Sequence, residues 1–253
     1  MNHAPVLPEV INGAFESGIL FLCDHASNAV PEDMHGLGLP PGELQRHIGW
    51  DIGAAAVTRA LAAQFRAPAV LSTFSRLVID PNRGRDDPTL VMKISDGAIV
   101  PGNRDADEAE VEARIRRFYD PYDHAVGGMI AAAVAAGFPP AIISMHSFTP
   151  VWHGTPRPWE IGILWRDDAR LAGPLMESLR GQGFVVGDNE PYIGVLDGDT
   201  LYRHALTQGL RFVLIEVRQD LIATQEDTVL WAHIVARHIR TLRLGCRNAG
   251  GAM

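Results

Sequence analysis

His25, Asp51 and His146 each fall where an apolar run gives way to a loop or a helix, and Glu216 lies inside another apolar run. Two imidazoles and one carboxylate form the donor set of a catalytic zinc site that keeps one position open for water. A further carboxylate beside such a site serves as its general base. If the fold brings these four side chains together, the chemistry is hydrolysis by an activated water. Each also has a plainer reading. A lone histidine at a strand end is more often structural than a ligand. An acid at a helix start caps the helix and complements its dipole, so pattern alone leaves Asp51 equally a cap or a ligand. Asn28 competes with it, because His25-x-x-Asn28 imitates a His-x-x-carboxylate spacing. Asparagine is a weak zinc ligand, and Asp51 is preferred. A buried Glu216 without a partner would be costly, so it either does chemistry or pairs with an arginine such as Arg218 or Arg76. Asp24 is a candidate for orienting a ligand from behind.

A second group runs from Ser75 to Arg83 and contains Arg76, Asn82 and Arg83. Arginine suits bidentate binding of a carboxylate, so this stretch can hold an anionic substrate; solvated surface arginines are the plainer alternative. Arg157-Pro158-Trp159 and Asn189-Glu190-Pro191-Tyr192 read as rigid loops around a pocket. Tyr192 either donates to an oxyanion or packs as an aromatic, and His204 lies near the pocket or on a helix surface. No phosphate loop, dinucleotide fingerprint or Gly-x-Ser-x-Gly elbow is present, which disfavours nucleotide and serine-hydrolase chemistry.

The elements that must position these residues alternate along the chain. Apolar runs at Ile19–Cys23, Ala69–Leu71, Leu77–Ile79, Ala141–Met145, Trp159–Trp165, Phe184–Val186 and Phe212–Val217 read as strands or extended pieces. Helical spacing covers Trp50–Phe65, Ala106–Ala136, Asp168–Gln182, Gly198–Gly209 and Asp227–Leu244. The second of these is one long helix or two, interrupted around Asp120-Pro121-Tyr122 and Gly127-Gly128. Strands separated by helices imply an α/β fold of three layers, a mixed, mostly parallel sheet with helices on both faces. In such sheets ligands bind beyond the carboxyl ends of the strands, where the polar clusters fall. Residues 80–105 read as a long loop, a length usually reserved for function.

The 253 residues, 47% of them hydrophobic, suffice for a sizeable core, and one domain is the simpler reading. The tail after Leu244 reads as disordered. A net charge of −8 argues against nucleic acid as a partner. Two distant cysteines, Cys23 and Cys246, argue against a disulfide framework. No basic start followed by an apolar run marks a secretory signal, and no apolar run is long enough for a membrane span, so the cytoplasm is the expected compartment.

Asp-His-Ala-Ser-Asn at 24–28, Ser-Arg-Leu-Val-Ile-Asp-Pro-Asn-Arg at 75–83, His-Ser-Phe-Thr-Pro at 146–150 and Ile-Glu-Val-Arg-Gln-Asp-Leu at 215–221 together resemble the N-formylglutamate amidohydrolase family. The likeness runs from about residue 15 to 240. It implies a core like that of the zinc carboxypeptidases and aspartoacylases, and hydrolysis of the linear amide of a small anionic N-acyl amino acid such as N-formyl-L-glutamate, a step of histidine degradation. It implies one Zn²⁺ per chain on His25 and His146, Glu216 as the residue that activates water, Arg76 as a polarising arginine, and Asn82 and Arg83 as the grip on a substrate carboxylate. Ser147, Arg157, Tyr192 and Arg218 are further candidates for substrate contact. The chain departs from the carboxypeptidase-like pattern where Asn28 stands for a glutamate, and Asp51 is read as the replacement ligand. Rival readings are a non-haem iron oxygenase, a metal-free binder of small anions, and an amidase of the same mechanism on another acyl group.

Overall fold

The structure, a computed structural model, describes residues 4–244. The expected disordered tail, and Cys246 with it, lie outside the described residues; Cys23 is a buried free thiol. The strands are β1 (Glu9–Ile11), β2 (Ile19–Cys23), β3 (Ala69–Leu71), β4 (Ile94–Ser95), β5 (Ala98–Ile99), β6 (Ala141–Phe148), β7 (Val151–Trp152), β8 (Thr155–Pro156), β9 (Ile161–Leu164), β10 (Val186–Asp188) and β11 (Phe212–Arg218). The helices are α1 (Ala54–Phe65), α2 (Glu108–Arg114), α3 (Asp120–Ala135), α4 (Ala172–Arg180), α5 (Thr200–His204) and α6 (Gln225–Thr241).

Seven strands form the main sheet in the order β1-β3-β2-β6-β11-β9-β10. The central β3, β2, β6 and β11 are parallel, β1 runs antiparallel to β3, and the β9–β10 pair runs antiparallel to β11. This is the expected mixed, mostly parallel sheet. The central strands are apolar on both sides because both faces are covered. Side chains alternate between the faces. Ile19, Phe21, Ile143, Met145, Val213 and Ile215 join one core, with α1, α4 and α6. Leu20, Leu22, Ile142, Phe212 and Leu214 join the other, with α3, Phe118 and Tyr119. Among the described residues no helix is long and apolar enough to cross a membrane.

Several elements differ from the sequence reading. Leu77–Ile79 is a buried turn, not an extended piece. The stretch 108–135 stays helical through Pro121 and the Gly127-Gly128 pair. A π-turn over Ile115–Tyr119, with the Asp120 N–H donating to the Ile115 carbonyl, immediately precedes Pro121 at the start of α3. Pro121 has no N–H to give the Arg117 carbonyl four residues back, and that carbonyl accepts from the Val6 N–H at 2.7 Å instead. The 198–209 stretch is shorter than expected as a helix, because Ala205 leaves helical geometry and a 3₁₀ turn follows. The long loop contains the β4–β5 hairpin, closed by Asp96 and Gly97 at positive φ, the Asp-Gly signature of a tight turn. β1 carried no distinctive sequence pattern.

Candidate active site

Even-numbered positions of three neighbouring parallel strands place one polar row at their carboxyl ends. Asp24 follows Leu20 and Leu22, His146 follows Ile142 and Ser144, and Glu216 follows Phe212 and Leu214. Glu216 sits in register with His146 on one side and with Gly162 on the other. A Cβ on Gly162 would lie 2.2 Å from the Glu190 carbonyl oxygen, so only glycine fits beside the glutamate.

Asp51 reaches this row from a loop. Its N–H donates to the His25 carbonyl at 2.9 Å. Helix α1 begins only at Ala54, with Gly53 at φ +82° as its N-cap and no side-chain cap. The cap reading of Asp51 therefore fails, and its carboxylate turns to the histidines instead. Asn28 is spent elsewhere, donating to the Leu44 carbonyl and to Gln45.

Nitrogens and oxygens of His25, Asp51 and His146 lie within 4.8 Å of one another, and all three residues are buried. His146 Nδ1 is 2.8 Å and His25 Nδ1 3.4 Å from Asp51 Oδ2. The opposite ring nitrogens are held by buried carboxylates. His25 Nε2 is 2.7 Å from Asp80 Oδ1, and His146 Nε2 is 3.0 Å from Asp24 Oδ2. Both carboxyls are held below the usual range, against the cost of burial, by these histidines, and for Asp80 also by Arg76. They are acceptors only, so both Nε2 atoms donate to them, and both Nδ1 atoms face Asp51. His25 Nδ1 and Asp51 Oδ1 are buried without a hydrogen-bond partner. Two histidines held from behind by carboxylates, with donor atoms left open between them, fit a zinc ion.

Glu216 is buried, its Oε2 has no hydrogen-bond partner, and it forms no ion pair among the described residues. Burial pushes its carboxyl up to about 7, partly offset by His146. The arginines proposed as its partners turn away. Arg218 pairs with Asp220, and Arg76 donates to Asp80 at 2.9 Å and lies 3.6 Å from Asp51.

His25, Asp51, His146 and Glu216 open into one cavity of about 690 Å³, lined also by His47, Arg76, Asn82, Arg83, Ser147, Trp152 and Tyr192. Arg157 and Arg218 do not line it. Arg157 sits behind Tyr192, its guanidinium 5.0 Å from the ring centre, and donates to Thr149; Arg218 donates to the Trp159 carbonyl. Ser147 lines the cavity, but its hydroxyl donates to the Ile52 carbonyl and its N–H to Asp51. His204 pairs with Asp123 and does not line the cavity.

Sequence reasoning gave Asp80 no role, although it stands in an apolar run between Arg76 and Asn82. It also passed over His47, whose four-residue spacing to Asp51 was the available signal. Burial lowers the His47 imidazole to about 4, so it is neutral near pH 7. Asp80 is held by its surroundings: its N–H donates to the Leu90 carbonyl, and Asn103 and Arg114 tie down the carbonyls of Leu77, Met92 and Val78.

The site thus lies at the carboxyl ends of the central strands of a mixed α/β sheet, where folds of this class bind their ligands. The chain belongs to the N-formylglutamate amidohydrolase family, whose model matches residues 17–223. It is similar to the crystal structure of a gene product of Agrobacterium tumefaciens, with a TM-score of 0.90, 40% identity and 94% of each chain covered. It is similar in fold to an N-formylglutamate amidohydrolase from Ralstonia eutropha, with a TM-score of 0.69 and 24% identity over 94% of this chain and 99% of that one. A bacteriophage poly-gamma-glutamate hydrolase shares the fold alone, with a TM-score of 0.51 and 8% identity over 95% of this chain and 92% of that one. No curated protein matches.

Proposed function

We propose that the protein is a zinc-dependent amidohydrolase that cleaves the amide of a small N-acyl amino acid. The convergence of His25, Asp51 and His146 beside a buried, unpaired Glu216 oxygen in one cavity carries this reading. Family membership supports the reaction class, and the Ralstonia relative's name supports an N-formylglutamate-like substrate.

His25, Asp51 and His146 would hold one zinc. When bound, it would bring a water to a pKa of about 7 and polarise the scissile carbonyl. Glu216 takes a proton at Oε2 from the attacking water and delivers it to the amine nitrogen as the C–N bond breaks. Tyr192, pushed up to about 12 by burial, stays protonated and can donate to the developing oxyanion. Arg76 adds positive charge nearby while holding Asp80. Asn82 and Arg83 meet the substrate carboxylate; Asn82 Oδ1 is committed to the Thr200 N–H, which leaves its amide N–H groups as donors. The products are a small carboxylic acid and a free amino acid. In this reading the whole chain works as one domain, and the cytoplasm is its setting.

The test is metal content by elemental analysis of the purified protein, paired with amine release from N-formyl-L-glutamate and other N-acyl amino acids. About one zinc per chain with release from any of these is expected. Protein that takes up no metal when zinc is supplied would overturn the assignment.

A further inference from the structure

The two oxygens of Asp51 have different surroundings. Oδ2 is 2.8 Å from His146 Nδ1 and 3.4 Å from His25 Nδ1, and it accepts from the Ser147 N–H at 3.3 Å. Oδ1 is buried and accepts no hydrogen bond. Arg76 Nη1 stands 3.6 Å from it and His47 Nδ1 3.8 Å. Arg76 is engaged by Asp80, to which its Nη2 donates at 2.9 Å. His47 Nδ1 is itself buried without a partner. Two polar atoms left unpaired beside each other, away from water, each carry the desolvation cost of a missing hydrogen bond.

The loop that brings them together is fixed. Residues 47–50 form a turn, not a helix, so the four-residue spacing alone does not make the approach. The Gly49 carbonyl accepts from the Ser75 hydroxyl at 2.8 Å and from the Arg76 N–H at 3.3 Å, and the Asp51 N–H donates to the His25 carbonyl. A Cβ on Gly49 would lie 2.6 Å from the Leu44 carbonyl oxygen, so the turn needs glycine there. His47 lines the cavity from this turn. An apolar side chain would fill the same space and leave no buried nitrogen unpaired. His25 and His146 are each held from behind by a carboxylate, and Asp51 is the donor that lacks such a hold.

We infer that His47 is a positioning residue for Asp51, donating from Nδ1 to Asp51 Oδ1 so that Oδ2 alone is presented to the metal. A small rotation of the imidazole, which no hydrogen bond holds at Nδ1, closes the gap. A hydrogen bond from behind orients a metal ligand and strengthens its hold. This rests on the zinc reading above and adds a residue to the same site.

The test is zinc affinity of the full-length protein, by competition with a chelator of known affinity, for wild type, His47→Leu and His47→Asn. Leucine keeps the bulk and removes the donor, and zinc affinity should fall by about tenfold or more. Asparagine keeps an amide N–H close to where the imidazole carries Nδ1, and its affinity should stay within a few-fold of wild type. Wild-type affinity in His47→Leu would overturn the inference and leave Asp51 Oδ1 to Arg76. A loss of about tenfold in His47→Asn would overturn it too, since the ring itself and not its N–H would then be what Asp51 needs. Wild-type protein that takes up no zinc would sink the zinc reading, and this inference with it.

Discussion

Glu216 stands directly across the β6–β11 ladder from His146, at the same register and on the same face of the sheet. The strand pairing itself therefore sets the Glu216 carboxyl beside one of the histidines that face Asp51. The ladder's rigidity carries over to the site, since neither strand can slip by one residue without turning His146 or Glu216 into the apolar core on the other face.

Replacing Glu216 with glutamine keeps the shape and removes the base. Turnover should fall by about 10³-fold while zinc content stays at the wild-type level. Steady-state kinetics and elemental analysis on the same preparation check it, and turnover within a few-fold of wild type would end the role given to Glu216.

The same variant should change how the metal-free protein responds to pH. The Glu216 carboxyl is raised from 4.5 to about 7 by burial. A raised folded pKa gives a contribution to stability that is complete below pH 4.5 and lost as pH climbs through about 7. Chelator-treated wild type should thus weaken between pH 5 and 8 by on the order of 2 kcal/mol from this group, and Glu216→Gln should not. Thermal melts across that range measure it; parallel pH curves for the two proteins would contradict it.

The carboxylates behind the histidines should matter to metal affinity more than to the fold. Asp80→Asn and Asp24→Asn each weaken the hold on a ring nitrogen, and zinc affinity should drop by about 10–100-fold for each. Competition with a chelator of known affinity gives the number. Unchanged affinity in both variants would mean that the histidines are oriented by something else.

Gly53 is where backbone geometry aims Asp51. Its φ is +82°, and a Cβ there would lie 2.4 Å from the Ile222 carbonyl oxygen. Gly53→Ala should cost about 2 kcal/mol or more and lower zinc occupancy, because the Asp51 loop must move. A melting temperature and metal content equal to wild type would show that the loop adapts freely.

The central strands were legible because an apolar run buried on both faces leaves little other choice: Ile19–Cys23 and Ala69–Leu71 stand where the sequence placed them, and Ala141–Met145 only extends to Phe148. His25 and His146 were legible as candidate donors through residue type and position at strand ends, whereas the pattern around Asp51 fitted a helix cap as well as a ligand. The helix start was not legible at Trp50: Gly53 and the demand on Asp51 delay it to Ala54. Leu77–Ile79 misled for a related reason, since a turn buried under the second core has the composition of a strand.

Residue types and period alone thus determined the class of fold, the strand ends as the place of chemistry, and histidine and carboxylate as its donors. Which carboxylate faces the two histidines, which acids hold their far nitrogens, and which arginines reach the cavity were decided by tertiary structure. Asp51 lies 26 residues from His25 in sequence but meets it through a loop contact, Asp80 meets His25 across 55 residues, and Asp24 meets His146 across 122. Local sequence preference carries no information over such separations; the packing of loops over the strand ends makes these pairs, and sends Arg218 and Arg157 elsewhere.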